Sequence, residues 1–375
     1  MHSRDRFVEL DSLRGLAAIG VVLWHYTAMW QARPMNWLFA PFYDYGLLLV
    51  DFFFVLSGFV IARSYWTSER RSAFLANMGR RIARIYPLHL VALLSILPLQ
   101  AALTYLLGPL DIYFLYNDAY HFVLNLFLLN RSSLETGFSF NSPSWSISTE
   151  MIANVCFFAM IALGKRTATA ALFIAFIITA LLINKFGMIT SNFILGIINT
   201  DVIRTLFGFI AGVASYKISM SAWMRDRKDA ILADLIFLGC VSALVAYMIL
   251  DRGNRILPEH FAPVAFPVIL LAAIHSKYSR KLLSAVPLAK LGEWSYSIYL
   301  IHFPLLLTTL LISTLLGYKP AYASAWFVVA FLGVVILIAS QTFKLIERPG
   351  NRLLLRLFAT RCANLRKDQA RDALG

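Results

Sequence analysis

The sequence predicts an all-α polytopic membrane protein of about ten transmembrane helices with both termini cytoplasmic, and three observations predict it. Of 375 residues, 59% are hydrophobic and only 14% charged, where an ordinary soluble protein carries about 25% charged residues. Apolar runs recur from one end of the chain to the other, each long enough to cross a hydrocarbon core of about 30 Å. Lysine and arginine are shared unequally between alternate connecting segments, the asymmetry that orients membrane proteins.

The first predicted span, 13–31, carries Arg14 and His25 eleven residues apart. On a helix that spacing is close to three turns, so both side chains share a face, about 20° apart. They stand about 16 Å apart along the axis, half the hydrocarbon thickness. Span 45–64 follows, with Asp51 near its outer end and the run Phe52-Phe53-Phe54-Val55-Leu56-Ser57-Gly58. The third span, 86–107, is preceded by the basic loop Gly79-Arg80-Arg81-Ile82-Ala83-Arg84. A stretch at about 112–130, with Asp118 and His121, reads as amphipathic or half-crossing. The hydroxyl-rich segment Ser142 to Glu150 leads into span 146–163. Spans 167–185, 201–218, 230–250 and 259–276 are mostly apolar. Span 293–315 opens on Glu293-Trp294-Ser295-Tyr296-Ser297 and holds His302 and Pro304, where a kink is expected. The last span, 322–346, leads to a basic end. The predicted organisation is one transmembrane unit, 1–352, and a basic cytoplasmic tail, 353–375.

With the N-terminus inside, segments on the cytoplasmic side hold 27 of the 34 Lys and Arg residues and outer segments hold 7. The net charge of +14 is therefore a matter of topology and anionic lipid, and nucleic acid is not an expected partner. The first apolar run is too long for a signal-peptide core and has no small-residue cleavage site, so no cleaved leader is expected. Cys156, Cys240 and Cys362 have no paired spacing, and Cys156 and Cys240, inside apolar spans, read as small core residues. There is no Walker A loop, dinucleotide fingerprint, His-Glu-x-x-His helix or Cys-x-x-Cys pair, so ATP hydrolysis, redox work and a metal site are not expected.

Ionisable groups at membrane depth are expensive and point to function. His25 and Glu150 fall at similar outer depth, which suits a general base and its orienting carboxylate. The alternative is a satisfied core histidine with a structural glutamate. Arg80 and Arg84 share a helix face with Arg81 beside them, and three guanidiniums can cradle several phosphates. The alternative is a topology signal touching lipid headgroups. Arg14 can anchor an anion at the cytoplasmic edge. Asp51 can pair with a cation or line a cavity. Ser57-Gly58 suits close helix packing. Ser146 and Ser148 suit a polar cavity for a hydroxylated substrate, with Trp145 as a stacking surface or an interfacial belt residue. Tyr296 and His302 are further cavity candidates.

In order along the chain, several motifs resemble the acyltransferase-3 family of membrane O-acyltransferases. Asp11-Ser12-Leu13-Arg14-Gly15 followed by His25 resembles its Arg-x10-His signature. Val50 to Phe59 is similar to its span 2 motif, and Arg80 to Pro87 to its basic run. Trp145-Ser146-Ile147-Ser148-Thr149-Glu150 is similar to its Trp-Ser-Leu-Ser-Val-Glu element. Ser295 to Pro304 and Glu347-Arg348-Pro349 resemble its last two signatures. Leu49 and Thr149 stand where the family commonly has Gly and Val.

The resemblance implies transfer of an acyl group, usually acetyl from acetyl-CoA, to a hydroxyl of a carbohydrate or lipid-linked glycan such as O-antigen or exopolysaccharide. It implies donor phosphates at Arg14, Arg80, Arg81 and Arg84, a base at His25, Glu150 orienting it or binding acceptor, and a bacterial inner membrane as the location. No permanently bound cofactor is expected. A small exported metabolite as acceptor, or a proton-coupled transporter using the buried His, Glu and Asp, are the competing expectations.

Overall fold

A computed structural model describes residues 7–66, 74–108, 115–186, 193–194, 197–222, 224, 229–251 and 256–358. The helices, in chain order, are α1 (Val8–Trp30), α2 (Asn36–Tyr45), α3 (Leu49–Tyr65), α4 (Phe74–Leu107), α5 (Ala119–Leu126), α6 (Trp145–Ala162) and α7 (Lys165–Phe186). They continue as α8 (Thr200–Ser219), α9 (Ala230–Asp251), α10 (Ile256–His275), α11 (Tyr278–Leu283), α12 (Val286–Leu315) and α13 (Ala325–Thr342). A two-residue antiparallel ladder, Phe193–Ile194 with Ile198–Asn199, precedes α8.

All ten predicted spans coincide with helix. Eight stretches among the described residues are long and apolar enough to cross a membrane, so the protein is a multi-pass helical membrane protein. The first predicted span is not one of the eight, although α1 has 23 residues. Arg14, Trp24, His25 and Tyr26 dilute its apolar content. In α10, Val264–His275 is an apolar helix of shorter length.

Two boundaries differ from expectation. Helix α4 begins at Phe74 and not at the expected 86, so the basic segment before the third span is no loop, and Arg80, Arg81 and Arg84 stand on a helix as their shared-face reading has it. The stretch before Pro87 contains Leu, Ala, Met and Arg, all good helix formers, and Pro87 and Pro98 are carried inside the helix. Beyond α13 a wide π-turn covers Phe343–Glu347, and helix resumes through Phe358. Pro349 has no N–H to give to the carbonyl one turn back, which favours the wide turn. The turn swings Glu347 into the protein, where it is buried. The predicted tail beyond residue 358 lies outside the described residues. The predicted half-crossing stretch is the short helix α5. Asp118 caps it by accepting from the His121 backbone N–H at 2.8 Å. Hydrogen bonds from His121 hold the Asp118 carboxyl below the usual carboxylate range.

Two helix pairs dominate the bundle, α1 with α12 and α3 with α8. Both pairs run parallel, and both rest on glycine. A Cβ on Gly15 would lie 2.7 Å from the Gly292 backbone nitrogen, and one on Gly292 would collide with Asp11. On the other pair, Gly58 abuts the Phe209 backbone and Gly212 abuts Val55. Between membrane helices, where burial in lipid supplies no driving force, such close approach is what gains dispersion contact.

Gly15→Leu should therefore lower the thermal midpoint of the purified protein substantially, by an overpacking cost of at least about 1–3 kcal/mol. Gly239→Ala, where nothing lies within 4 Å, should leave it unchanged. Differential scanning fluorimetry in detergent reads both.

Candidate active site

Because α1 and α12 run parallel from the Gly15–Gly292 contact, corresponding turns face each other level by level. At the lower level Arg14 donates from Nε to Ser295 Oγ at 2.6 Å and from NH2 to the Gly292 carbonyl at 2.8 Å. Asp11 adds an ion pair at 3.1 Å. Seven residues further along α12, about 10 Å up, His302 meets His25. The separation from His302 Nε2 to His25 Nδ1 is 3.2 Å, with ring centroids 4.8 Å apart. Each imidazole also touches the carbonyl one turn below it through Nδ1, Val21 at 3.1 Å for His25 and Ile298 at 3.2 Å for His302. Trp24 stands edge-on to His25 at 4.7 Å.

Tyrosines connect the two levels. Tyr296 donates to the Ile85 carbonyl at 2.7 Å. Tyr299 donates to the Pro143 carbonyl at 2.9 Å and shares a 2.7 Å hydrogen bond with Ser146. Residues 292, 295, 299 and 302 recur at three- and four-residue steps, so one face of α12 is a polar column inside an apolar bundle.

A second cluster stands beside the lower half of that column. Glu150 on α6 accepts from Ser57 on α3 at 2.6 Å and is ion-paired with Arg81 on α4. Arg80 donates to the Tyr65 hydroxyl at 3.3 Å and to Asn77. Arg84 is exposed. Its charge and those of Arg81, Glu150 and Glu347 all act on Tyr296. Glu347, turned inward by the π-turn, accepts from Ser297 at 2.8 Å and feels Arg84 and Arg14. The predicted donor-binding residues thus gather at one end of the column, though Arg14 and Arg81 are already ion-paired.

Several expected placements are corrected. Glu150 is not the partner of His25. Its Oε1 accepts from both Ser57 and Arg81, and among the described residues no hydrogen bond joins it to His25. Of its two expected roles, Asp51 takes the pairing with a cation. Both its oxygens accept from Arg204, at 2.7 and 2.6 Å, and both side chains are buried. Trp145 offers no free stacking face, being buried against Phe54 and 5.7 Å from the Arg204 guanidinium. Ser148 is fully buried and accepts from the Arg131 backbone N–H at 3.1 Å. Sequence reasoning missed Arg204, and it quoted Glu347 and Tyr299 within two motifs without giving either a place in the site. It also missed the buried Arg131–Asp201 pair at 2.8 Å, which closes the segment before α6 against α8. An arginine inside the mostly apolar span 201–218 was the available signal for Arg204.

An acyltransferase domain model matches residues 7–343. The chain belongs to the acyltransferase-3 family. Within it, the chain is 25% identical over 393 residues to the acyltransferase MdmB of Streptomyces mycarofaciens, covering 93% of each protein. It is 24% identical to the O-acetyltransferase OatA of Staphylococcus aureus, covering 96% of this chain and 59% of that protein. A third relative, protein 2 in the picA locus of Rhizobium radiobacter, is 29% identical over 165 residues. No solved structure matches the chain. The protein is thus a membrane acyltransferase, and the polar column with the cluster beside it is its candidate active site.

The Asp51–Arg204 pair gives a direct test of which polar groups are structural. Arg204→Leu leaves an unpaired buried carboxylate and should destabilise the protein by about 3–5 kcal/mol. The double variant Asp51→Leu/Arg204→Leu should recover much of that loss. Monodisperse yield and thermal midpoint in detergent measure both.

Proposed function

We propose that the protein moves an acyl group, acetyl in the simplest case, from acyl-CoA on the cytoplasmic side to a hydroxyl of an extracytoplasmic glycan at a bacterial inner membrane. The observation that carries this reading is the polar column of α12, which joins an arginine-rich end to a histidine pair about 10 Å deeper. An acyl-CoA is polar and polyanionic at one end and reactive at the other, so it needs both ends of such a column.

The topology belongs to this reading: ten crossings with both termini cytoplasmic. The parallel run of α1 and α12 supports it, because parallel spanning helices require an odd number of crossings between them. Seven helices, α3, α4, α6, α7, α8, α9 and α10, supply that number. The positive-inside bias then assigns the arginine end to the cytoplasm.

At that end Arg80 and Arg84 take the phosphates of the donor, with Arg14 behind them. Arg81, tied to Glu150, sits where the acyl-bearing arm passes inward. Tyr296, Tyr299 and Ser146 line the way to the histidines. His25 is the general base. It removes the proton from the acceptor hydroxyl as the oxygen bonds to the thioester carbonyl carbon. The carbon–sulfur bond then breaks, and the proton passes from His25 to the departing thiolate. Ester and free thiol are the products, and the imidazole ends neutral.

His25→Ala should lower acetyl-CoA turnover by about 100-fold or more while leaving the elution profile unchanged. Arg84→Ala should raise KM for acetyl-CoA with little change in kcat, since its contact to a remote phosphate is the same in ground and transition states. Release of free thiol by purified protein in detergent measures both. Full turnover in the His25 variant would remove the base from the mechanism.

A further inference from the structure

We infer that His302 fixes the tautomer and the orientation of His25, as a carboxylate does in the Ser-His-Asp arrangement, and that His25 works through Nε2. The inference rests on the reading of His25 as the base. It comes from the direction of three hydrogen bonds.

A backbone carbonyl can only accept. The Nδ1 atom of His302 lies 3.2 Å from the Ile298 carbonyl, so it carries the proton, and Nε2 of the neutral ring holds a lone pair. The Nδ1 atom of His25 lies 3.1 Å from the Val21 carbonyl, so it too carries a proton. That N–H also reaches His302 Nε2 at 3.2 Å, which accepts it. The chain of donors runs in one direction, from His25 Nδ1–H to His302 Nε2, and from His302 Nδ1–H to Ile298. Its end is His25 Nε2, left with a lone pair and turned away from both partners. That atom alone can take a proton from an incoming hydroxyl.

The arrangement explains why Glu150 is not needed beside His25. When His25 becomes an imidazolium, its Nδ1–H already points at a neutral acceptor, and His302 shares the new charge. The surroundings preserve the geometry. His302 is fully buried, and Tyr299 packs edge-on against its ring at 6.0 Å. Phe303 packs edge-on against His25 at 6.3 Å. His302 is therefore a positioning residue.

The test uses the purified full chain with acetyl-CoA and compares three variants. His302→Phe keeps a ring of similar volume and removes both nitrogens. His302→Gln places an amide oxygen near the position of Nε2, where it can still accept from His25. His302→Leu repeats the apolar substitution in a different shape, in case the Phe variant does not fold. We expect the folded apolar variant to lose about 100-fold in kcat, the scale of a general-base contribution, with KM for acetyl-CoA unchanged. We expect His302→Gln to recover at least 10-fold of that loss, in keeping with a role for the acceptor atom. A merely structural role would move thermal midpoint and KM together and would gain nothing from Gln. Wild-type kcat in the apolar variants, or Gln no better than Phe and Leu at equal thermal midpoint, would overturn the inference. Wild-type turnover by His25→Ala would instead overturn the base assignment beneath it.

Discussion

The close parallel contact of α1 and α12 is the constraint on which the rest of the site depends. Two glycines, Gly15 and Gly292, let the helix backbones touch. Once they touch in parallel, every turn of α1 meets the turn of α12 at the same depth. His25 is then placed on His302, and Arg14 reaches up by one turn to Ser295. A larger residue at either glycine would separate all the levels together, because a helix moves as a rod. The second parallel pair, α3 with α8, does the same for the wall of the site. It locks Asp51 to Arg204 and leaves Ser57 facing Glu150.

Polar groups in this bundle divide by what they touch. Asp51, Arg204, Arg131, Asp201 and Ser148 are buried and bonded to one another or to backbone. A buried ion pair of this kind contributes little net stability but is costly to break on one side. It holds register between helices where apolar contacts alone would permit sliding. The α12 column is different. Its members stand at successive depths and end on a nitrogen with an available lone pair, which is the arrangement that handling a proton requires.

Much of this was legible in the sequence because it is local. The eleven-residue spacing of Arg14 and His25 puts them on one face of any helix, and apolar runs mark spans whatever the tertiary fold. What could not be read is long-range or irregular. His302 finds His25 across 277 residues, and Arg204 finds Asp51 across 153. Matching Glu150 to His25 by depth failed although α6 starts within one residue of the expected boundary, because its start is buried in the bundle, where Pro143 and Ser146 already meet Tyr299, a turn before His302. Glu347 was invisible as an inward group because a π-turn breaks the 3.6-residue period that assigns faces. The arginine run read as a loop because its charges end an apolar window, although nothing in it ends a helix.

The central claim is that donor and acceptor are served from opposite sides of the membrane through one column. Sealed vesicles of defined orientation, bearing the protein and an acceptor glycan, test it most directly. Labelled acetyl-CoA is supplied to one face at a time. The account predicts label on the acceptor at the far face only when acetyl-CoA is given to the face that carries Arg84. Transfer only from the opposite face, or label confined to the face of addition, would contradict it.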